Sequence, residues 1–119
     1  MCTGFIFYRT DAATESIRMK TNDITKTALK ILDLQGFECW RSNNIAVRGR
    51  TFIGRRGVSD LIGFQRVPAT GIFMLCEVKG AGDTLSDDQI ELLDLAKKAG
   101  AYCFIATVNE RGGFIINEY

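Results

Sequence analysis

The chain has 119 residues, of which 46% are hydrophobic and 24% charged, with 15 Lys and Arg, 14 Asp and Glu, and no histidine. This length supports one domain with a modest core, and the composition argues against a disordered chain. Because histidine is absent, serine–histidine and cysteine–histidine catalysis and zinc sites with histidine ligands are excluded. Any chemistry must use carboxylates, lysine, arginine, tyrosine, cysteine or serine.

The cysteines and the apolar runs indicate where the protein resides. None of the four cysteines forms a CxxC pair, and three of them lie in apolar stretches, which is typical of buried free thiols in a reducing compartment. No apolar run approaches the ~18–20 residues of a membrane span. The short apolar stretch at residues 4–8 lacks the preceding basic region of a signal peptide. We therefore expect a cytoplasmic protein that is not secreted and contacts no membrane.

The first half of the chain predicts one helix followed by strands. Residues 1–19 fit no clear element, and we expect a poorly ordered N-terminal extension before a single domain over residues 20–119. Cap residues followed by apolar residues at helical spacing predict a helix over residues 22–35, ended by Gly36. Alternating apolar and polar residues then predict extended segments at residues 37–41, 45–48 and 59–64.

The second half predicts a strand, a helix and two further strands. Residues 72–78 are almost continuously apolar, as expected of a central strand that is buried on both faces. A capping box from Ser86 to Gln89 opens a helix that runs to about residue 99. Residues 101–107 form a second buried strand and residues 114–116 an edge strand. The order α-β-β-β-α-β-β predicts an α/β fold whose mixed sheet contains one parallel crossover.

Charge is distributed unevenly despite the net charge of +1. Residues 41–56, here called the arginine segment, contain no acid and two amide side chains; the candidate nucleic-acid contacts in it are Arg41, Asn44, Arg48, Arg50, Arg55 and Arg56. Guanidinium groups match phosphate oxygens, and clustered like charges repel one another unless an anion is near. We expect contact with nucleic-acid phosphates, although a solvated basic strand is the alternative. The acidic residues 83–94 are typical of an exposed helix start, and we assign them no function.

Three charged residues are the strongest candidates for chemistry. Glu77 and Lys79 end the apolar strand and share one face because they lie two residues apart. Asp60 begins the neighbouring strand, and paired strands lie about 5 Å apart. We therefore expect the carboxylates of Asp60 and Glu77 to converge. The alternative is an ordinary pairing of surface charges at the strand ends.

Converging carboxylates predict a site for a hard divalent cation. Oxygen ligands favour Mg²⁺ or Mn²⁺ over zinc, and the backbone carbonyl of Val78 is a further candidate ligand. Such an ion activates water and neutralises charge on a scissile phosphate, while Lys79 orients the nucleophile or stabilises developing charge. Gln89, on the first turn of the second helix, is either the last residue of the capping box or part of the site.

These residues occur in a combination that resembles the virus-type replication-repair nuclease (VRR-NUC) domain of the PD-(D/E)XK superfamily. The resemblance covers about residues 20–108. It rests on residues 36–41 with Asn43 and Asn44, residues 57–60, Cys76-Glu77-Val78-Lys79, residues 85–89, and Ala99-Gly100-Ala101.

The resemblance implies a restriction-endonuclease-like αβββαβ core and metal-dependent phosphodiester cleavage. Asp60, Glu77 and Lys79 match the catalytic core, and Gln89 matches the glutamine of the family's second helix. Ser59 stands where the family usually has proline, and we expect no loss of metal binding from that difference. The family often has a metal-site acid on the first helix, and Asp23 and Glu15 remain alternatives for it.

The resemblance also suggests a source and a substrate. Stand-alone members of this size are similar to structure-selective nucleases that dimerise and act on branched DNA such as Holliday junctions, so we expect a homodimer encoded by a bacterium or phage. The sequence thus predicts a Mg²⁺- or Mn²⁺-dependent endonuclease that hydrolyses DNA. A non-catalytic nucleic-acid-binding module with a degenerate nuclease fold is the first alternative, and a small protein-association domain is the second.

Overall fold

The computed structural model describes residues 6–9, 20–42, 54–109 and 111–119. Within these residues the chain forms two helices and six strands. The helices are α1 (Thr21–Leu34) and α2 (Asp87–Lys98). The strands are β1 (Ile6–Arg9), β2 (Phe37–Arg41), β3 (Leu61–Gln65), β4 (Phe73–Val78), β5 (Tyr102–Val108) and β6 (Phe114–Glu118).

The strands form one mixed sheet in the order β1-β6-β5-β4-β3-β2. Strands β4 and β5 are parallel and are joined through α2, whereas the other neighbouring pairs are antiparallel. The predicted α/β fold, αβββαβ core and parallel crossover are therefore confirmed. The prediction that residues 114–116 form an edge strand is wrong, because β1 pairs with the outer side of β6.

Strand β1 comes from the segment predicted as an N-terminal extension. Within that segment the structure describes residues 6–9, which pair with β6. The division of the chain at residue 20 remains a prediction. The extended segment expected at residues 45–48 lies outside the described residues.

Each helix covers one face of the sheet. On one face, α1 buries Ile24, Ala28 and Leu32, which follow helical spacing, against apolar side chains of the strands that include Met74, Cys76, Phe104, Ala106 and Ile116. On the other face, Leu93 of α2 packs against Leu75 and Cys103. Strand β4 lies between these two layers and is buried from Met74 to Val78, as its continuously apolar sequence predicts.

The end of α1 and the start of α2 follow the predicted signals, whereas the predicted cap of α1 is wrong, because its N-cap is Lys20, which makes no side-chain capping bond, and Thr21, Asn22 and Asp23 lie inside the helix. Gly36, with φ of +96°, follows α1, and Ser86 caps α2 in a complete capping box with Gln89. The start of α2 is therefore fixed by side-chain bonds, which matters because Gln89 also belongs to the site described below. Neither helix in the described part of the chain has the length and apolar character needed to traverse a bilayer.

Candidate active site

The pairing of β3 with β4 brings the two predicted carboxylates together. Leu61 pairs with Cys76, so the residues just beyond this pair, Asp60 and Glu77, emerge side by side at one end of the sheet. The Val78 backbone N–H donates a 2.8 Å hydrogen bond to Asp60 Oδ2. This bond fixes the Asp60 carboxylate against the end of β4, as the predicted convergence requires.

Glu77 is a buried acid with an unusual proton affinity. Its side chain is only 1% exposed. Burial is the largest cause that raises the pKa of Glu77 from 4.5 to about 8, and the close, negatively charged carboxyl of Asp60 is the second. The Ser59 hydroxyl and the Lys79 ammonium act in the opposite direction on this pKa. Two carboxyl groups this close cannot both ionise easily without a compensating positive charge.

Gln89 connects the helix to the other members of the site. Its Nε2 donates to Glu77 Oε1 at 2.9 Å, and its Oε1 accepts from Lys79 Nζ at 2.9 Å and from the Ser86 N–H at 2.8 Å. Because Oε1 accepts two hydrogen bonds and Nε2 donates one to a carboxyl oxygen, the orientation of the Gln89 amide is fixed. The sequence left Gln89 as either a cap or a site residue, and it makes both sets of contacts.

Two buried oxygen atoms at this end of the sheet lack a hydrogen-bond partner among the described residues: Glu77 Oε2 and Ser59 Oγ. Ser59 is completely buried, and its hydroxyl lies close enough to lower the pKa of Glu77 without completing a hydrogen bond. Buried polar atoms are normally paired, so these two orphaned oxygens need explanation.

A bound cation would explain the orphaned carboxylate oxygen. The oxygen donors of Asp60 and Glu77 suit a hard divalent ion such as Mg²⁺ or Mn²⁺, and its charge would remove the repulsion between them. The described residues contain no cluster of three or more Cys, Asp or Glu side chains positioned for a metal. A cation here would therefore need backbone or water oxygens as well, and ligation by the Val78 carbonyl remains a prediction.

In the sequence, Ser59 stood out only as a departure from the family pattern. The structure makes it a neighbour of the Glu77 carboxyl, and its position directly before Asp60 was the only signal in the sequence. The structure describes one of the two alternatives for the first-helix acid. Asp23 is exposed in the first turn of α1, and Glu15 lies outside the described residues.

Gly57 allows the loop before Asp60 to approach α2 closely. Its φ is +80°, and a Cβ at this position would lie 2.3 Å from the Asp88 carbonyl oxygen and 2.8 Å from the Gln89 nitrogen. No larger residue fits without moving the first turn of α2. The loop that precedes Asp60 and the helix that carries Gln89 are thus held together by backbone contact.

We expect Gly57→Ala to lower the free energy of unfolding by about 3 kcal/mol, combining a left-handed backbone penalty with overpacking. The matched control is Gly82→Ala, because Gly82 has nearly the same φ, +82°, and a Cβ added there would meet nothing within 4 Å. Gly82→Ala should cost only about 1 kcal/mol. Denaturant unfolding of both variants measures the difference, and equal losses would show that the loop does not press on α2.

The described arginines of the arginine segment lie at the same end of the sheet. Arg41 ends β2, is exposed, and donates from Nη2 to Asn22 Oδ1 at 3.0 Å, while the next residue, Ser42, donates its N–H to the Asp60 carbonyl. Arg55 and Arg56 are exposed in the loop that ends at Gly57. The other predicted DNA contacts lie outside the described residues; these are Asn44, Arg48 and Arg50.

Comparison with known proteins identifies the family and the fold. The model of the VRR-NUC domain family matches residues 11–110, which is most of the chain. Among solved structures, the chain is similar to Archaeoglobus fulgidus Hjc, described as a Holliday junction resolvase from an archaeal hyperthermophile. The TM-score is 0.53 at 20% identity, and the match covers 82% of this chain and 71% of Hjc, which demonstrates a shared fold. The comparison with curated proteins gave no match.

The matched residues 11–110 span the whole αβββαβ core, from α1 to β5. The chain therefore belongs to the VRR-NUC domain family of nucleases.

Proposed function

We propose that this protein is a Mg²⁺- or Mn²⁺-dependent endonuclease that hydrolyses phosphodiester bonds in branched DNA. The observation that carries this proposal is the orphaned Oε2 of Glu77, a buried carboxyl oxygen that has no partner among the described residues, on a side chain whose pKa the neighbouring Asp60 carboxyl helps to raise. A buried acid, Glu77, beside a second carboxylate and an ordered lysine is costly as a purely structural feature but suits a cation-binding catalytic site.

Asp60 and Glu77 would hold the cation in this site. When bound, a divalent cation supplies a Lewis acid that lowers the pKa of water and offsets negative charge on the phosphate. The Val78 N–H keeps Asp60 in place, and Gln89 Nε2 keeps Glu77 in place. Both carboxylates are therefore oriented before any ligand arrives, which lowers the reorganisation needed during the reaction.

Lys79 would act on the attacking water and on the phosphate. An ammonium group has three N–H donors, and Lys79 uses one of them to bind Gln89 Oε1. This bond directs Nζ toward Glu77, where the remaining donors can orient the nucleophile and stabilise charge that develops on the phosphate. Gln89 is a positioning residue in this account, because it holds both Glu77 and Lys79.

The arginines would supply DNA affinity through the backbone phosphates. Arg41, Arg55 and Arg56 lie near the carboxylates, and Asn44, Arg48 and Arg50 extend the same basic stretch along the sequence. Phosphate contacts are independent of base sequence, so the selectivity would come from the shape of the DNA. Symmetric cleavage of a branched substrate needs two active sites, and each chain supplies one. We therefore propose a homodimer.

Cleavage of a panel of labelled DNA structures tests this function. The panel contains a four-way junction, a three-way junction and a linear duplex of matched sequence, each incubated with Mg²⁺, Mn²⁺ or EDTA. We expect cleavage of the junctions at least about tenfold faster than of the duplex, a difference of about 1.4 kcal/mol in activation free energy, and none in EDTA. Cleavage in EDTA would contradict metal dependence, and equal cleavage of the duplex would contradict structure selectivity.

The panel also separates this proposal from the alternative of a non-catalytic nucleic-acid-binding module. Such a module would bind the same DNA with a steep loss of affinity at high salt, because the arginines contact phosphates in either case. It would leave every DNA in the panel intact with either cation. Binding without cleavage would therefore favour the module over the endonuclease.

A further inference from the structure

Part of the sheet carries exposed apolar side chains on the face that α2 packs against. Trp40, Ile62 and Leu75 form a cross-strand row from β2 to β4, and Leu75 packs under α2. In the row beside it, Phe64 pairs with Phe73. Trp40 is 48% exposed, Phe64 39% and Phe73 50%. Helix α2 therefore covers the centre of this face and leaves aromatic side chains of β2, β3 and β4 open to solvent.

A recess lies directly beside these aromatic side chains. It measures about 300 Å³ and is lined by Phe73 with the preceding Ile72 and by residues at and just after the end of α2, namely Ala96, Ala99, Gly100 and Ala101. Leu95, which is 57% exposed, lies one turn before Ala99 on α2. Phe73 belongs to both the recess and the aromatic row, so a projecting apolar surface and a hollow are continuous.

We infer that this surface, here called the aromatic patch and defined by Trp40, Phe64, Ile72, Phe73 and Leu95, is the interface with a second copy of the chain. In a two-fold interface the same surface serves both partners, so projecting side chains of one copy can enter a hollow of the other. The ring pair of Trp40 and Phe64, 6.4 Å apart at an interplanar angle of 71°, provides the projection, and the recess provides the hollow.

The size of the aromatic patch is consistent with an interface to a second copy of the chain. A whole aromatic side chain presents roughly 150–250 Å², so the exposed fractions of the five residues give about 400 Å² of apolar surface. A standard interface buries about 800 Å² on each partner, with an apolar centre inside a polar rim. The aromatic patch is thus the right size for the apolar centre of a dimer interface.

The proposed interface borders the active site. Glu77 lies four residues beyond Phe73 on β4, which is about 13 Å at the rise of a strand. Trp40 is nearer, because its row on the sheet contains Leu75, which is two residues or about 7 Å from Glu77, so the two active sites would flank the contact. This inference rests on the homodimer of the proposed function, and it locates the surface that forms it.

Tryptophan fluorescence tests the proposed interface directly, because Trp40 is the only tryptophan in the chain. Dilution of the wild-type protein should shift its emission to longer wavelength as the dimer dissociates, in parallel with a fall in mass from twice 13.2 kDa to 13.2 kDa in light scattering. A dimer whose tryptophan emission does not respond to dissociation would place the interface elsewhere. A protein that is monomeric at every concentration would overturn the inference outright.

Phe73→Glu should raise the dissociation constant on the order of 10³-fold, because an aromatic substitution at the interface centre counts twice in a two-fold contact. Phe64→Glu is the second variant, and circular dichroism with denaturant unfolding verifies that each variant folds. The matched control is Leu34→Glu, since Leu34 is an exposed apolar residue of α1, 74% exposed and outside the aromatic patch. Dimerisation unchanged by both phenylalanine variants would contradict the inference.

These measurements use no DNA, so they can fail independently of the proposed nuclease function. A wild-type dimer through the aromatic patch that cleaves nothing would retain the interface and remove the endonuclease. Junction cleavage by a strict monomer would retain the endonuclease and remove the interface.

Discussion

We expect Glu77→Gln to lower the rate of DNA cleavage on the order of 10³-fold, the consequence of losing several kcal/mol of transition-state stabilisation from a bound cation. The variant keeps the shape of the side chain and an oxygen that can accept the bond from Gln89 Nε2. It removes only the negative charge. Cleavage assays with Mg²⁺ and Mn²⁺ measure the effect, and a variant that cleaves at the wild-type rate would exclude Glu77 as a metal ligand.

The same variant has a stability signature in the absence of metal. The pKa of Glu77 is about 8 in the folded protein, compared with the ordinary value of 4.5. Between these values the folded state holds a proton that the unfolded state has lost, so wild-type stability should fall as pH rises from about 4.5 to 8 and then level off. Glu77→Gln should lack this decline. Denaturant unfolding in EDTA across this pH range provides the measurement.

Lys79→Met should lower cleavage by about 10²–10³-fold while metal binding persists, because Lys79 is assigned to the water and the phosphate rather than to the cation. Methionine preserves much of the apolar stem, and Gln89 remains held by Ser86 and Glu77. Affinity for Mn²⁺ should stay equal or rise slightly, since a positive charge is removed from beside the cation.

The control for this variant is Lys98→Met, an exposed lysine at the end of α2, which should cleave at the wild-type rate. Rate and Mn²⁺ affinity should therefore separate in Lys79→Met and fall together in Glu77→Gln. A joint loss in Lys79→Met would mean that the lysine organises the metal site and has no separate role in the reaction.

The elements with strong local signals were predictable from the sequence. The apolar run at residues 72–78 identified β4, and the capping box identified the start of α2. Asp60 and Glu77 were expected to converge because strand pairing limits how far apart they can lie, and the register of Leu61 with Cys76 confirms that adjacent strands bring them together.

Features that depend on distant contacts could not be predicted in this way. Strand β1 pairs with β6, which lies more than 100 residues later, and no local periodicity reports such a pairing. The capping box fully explains the sequence pattern around Gln89, so only the contacts of Gln89 with Glu77 and Lys79 show that it also belongs to the candidate active site. The exposure of Trp40 depends on how much of the sheet α2 covers, which alternation along β2 does not indicate.

The central claim is that Asp60 and Glu77 hold a divalent cation, and calorimetric titration with Mn²⁺ tests it most directly. At pH 7 the raised pKa means that Glu77 holds a proton before binding, so wild-type protein should bind Mn²⁺ with release of up to about one proton. Titrations in two buffers of different ionisation enthalpy measure that release. Glu77→Gln should give no binding heat, whereas absence of binding by the wild type, or equal binding by Glu77→Gln, would contradict the account.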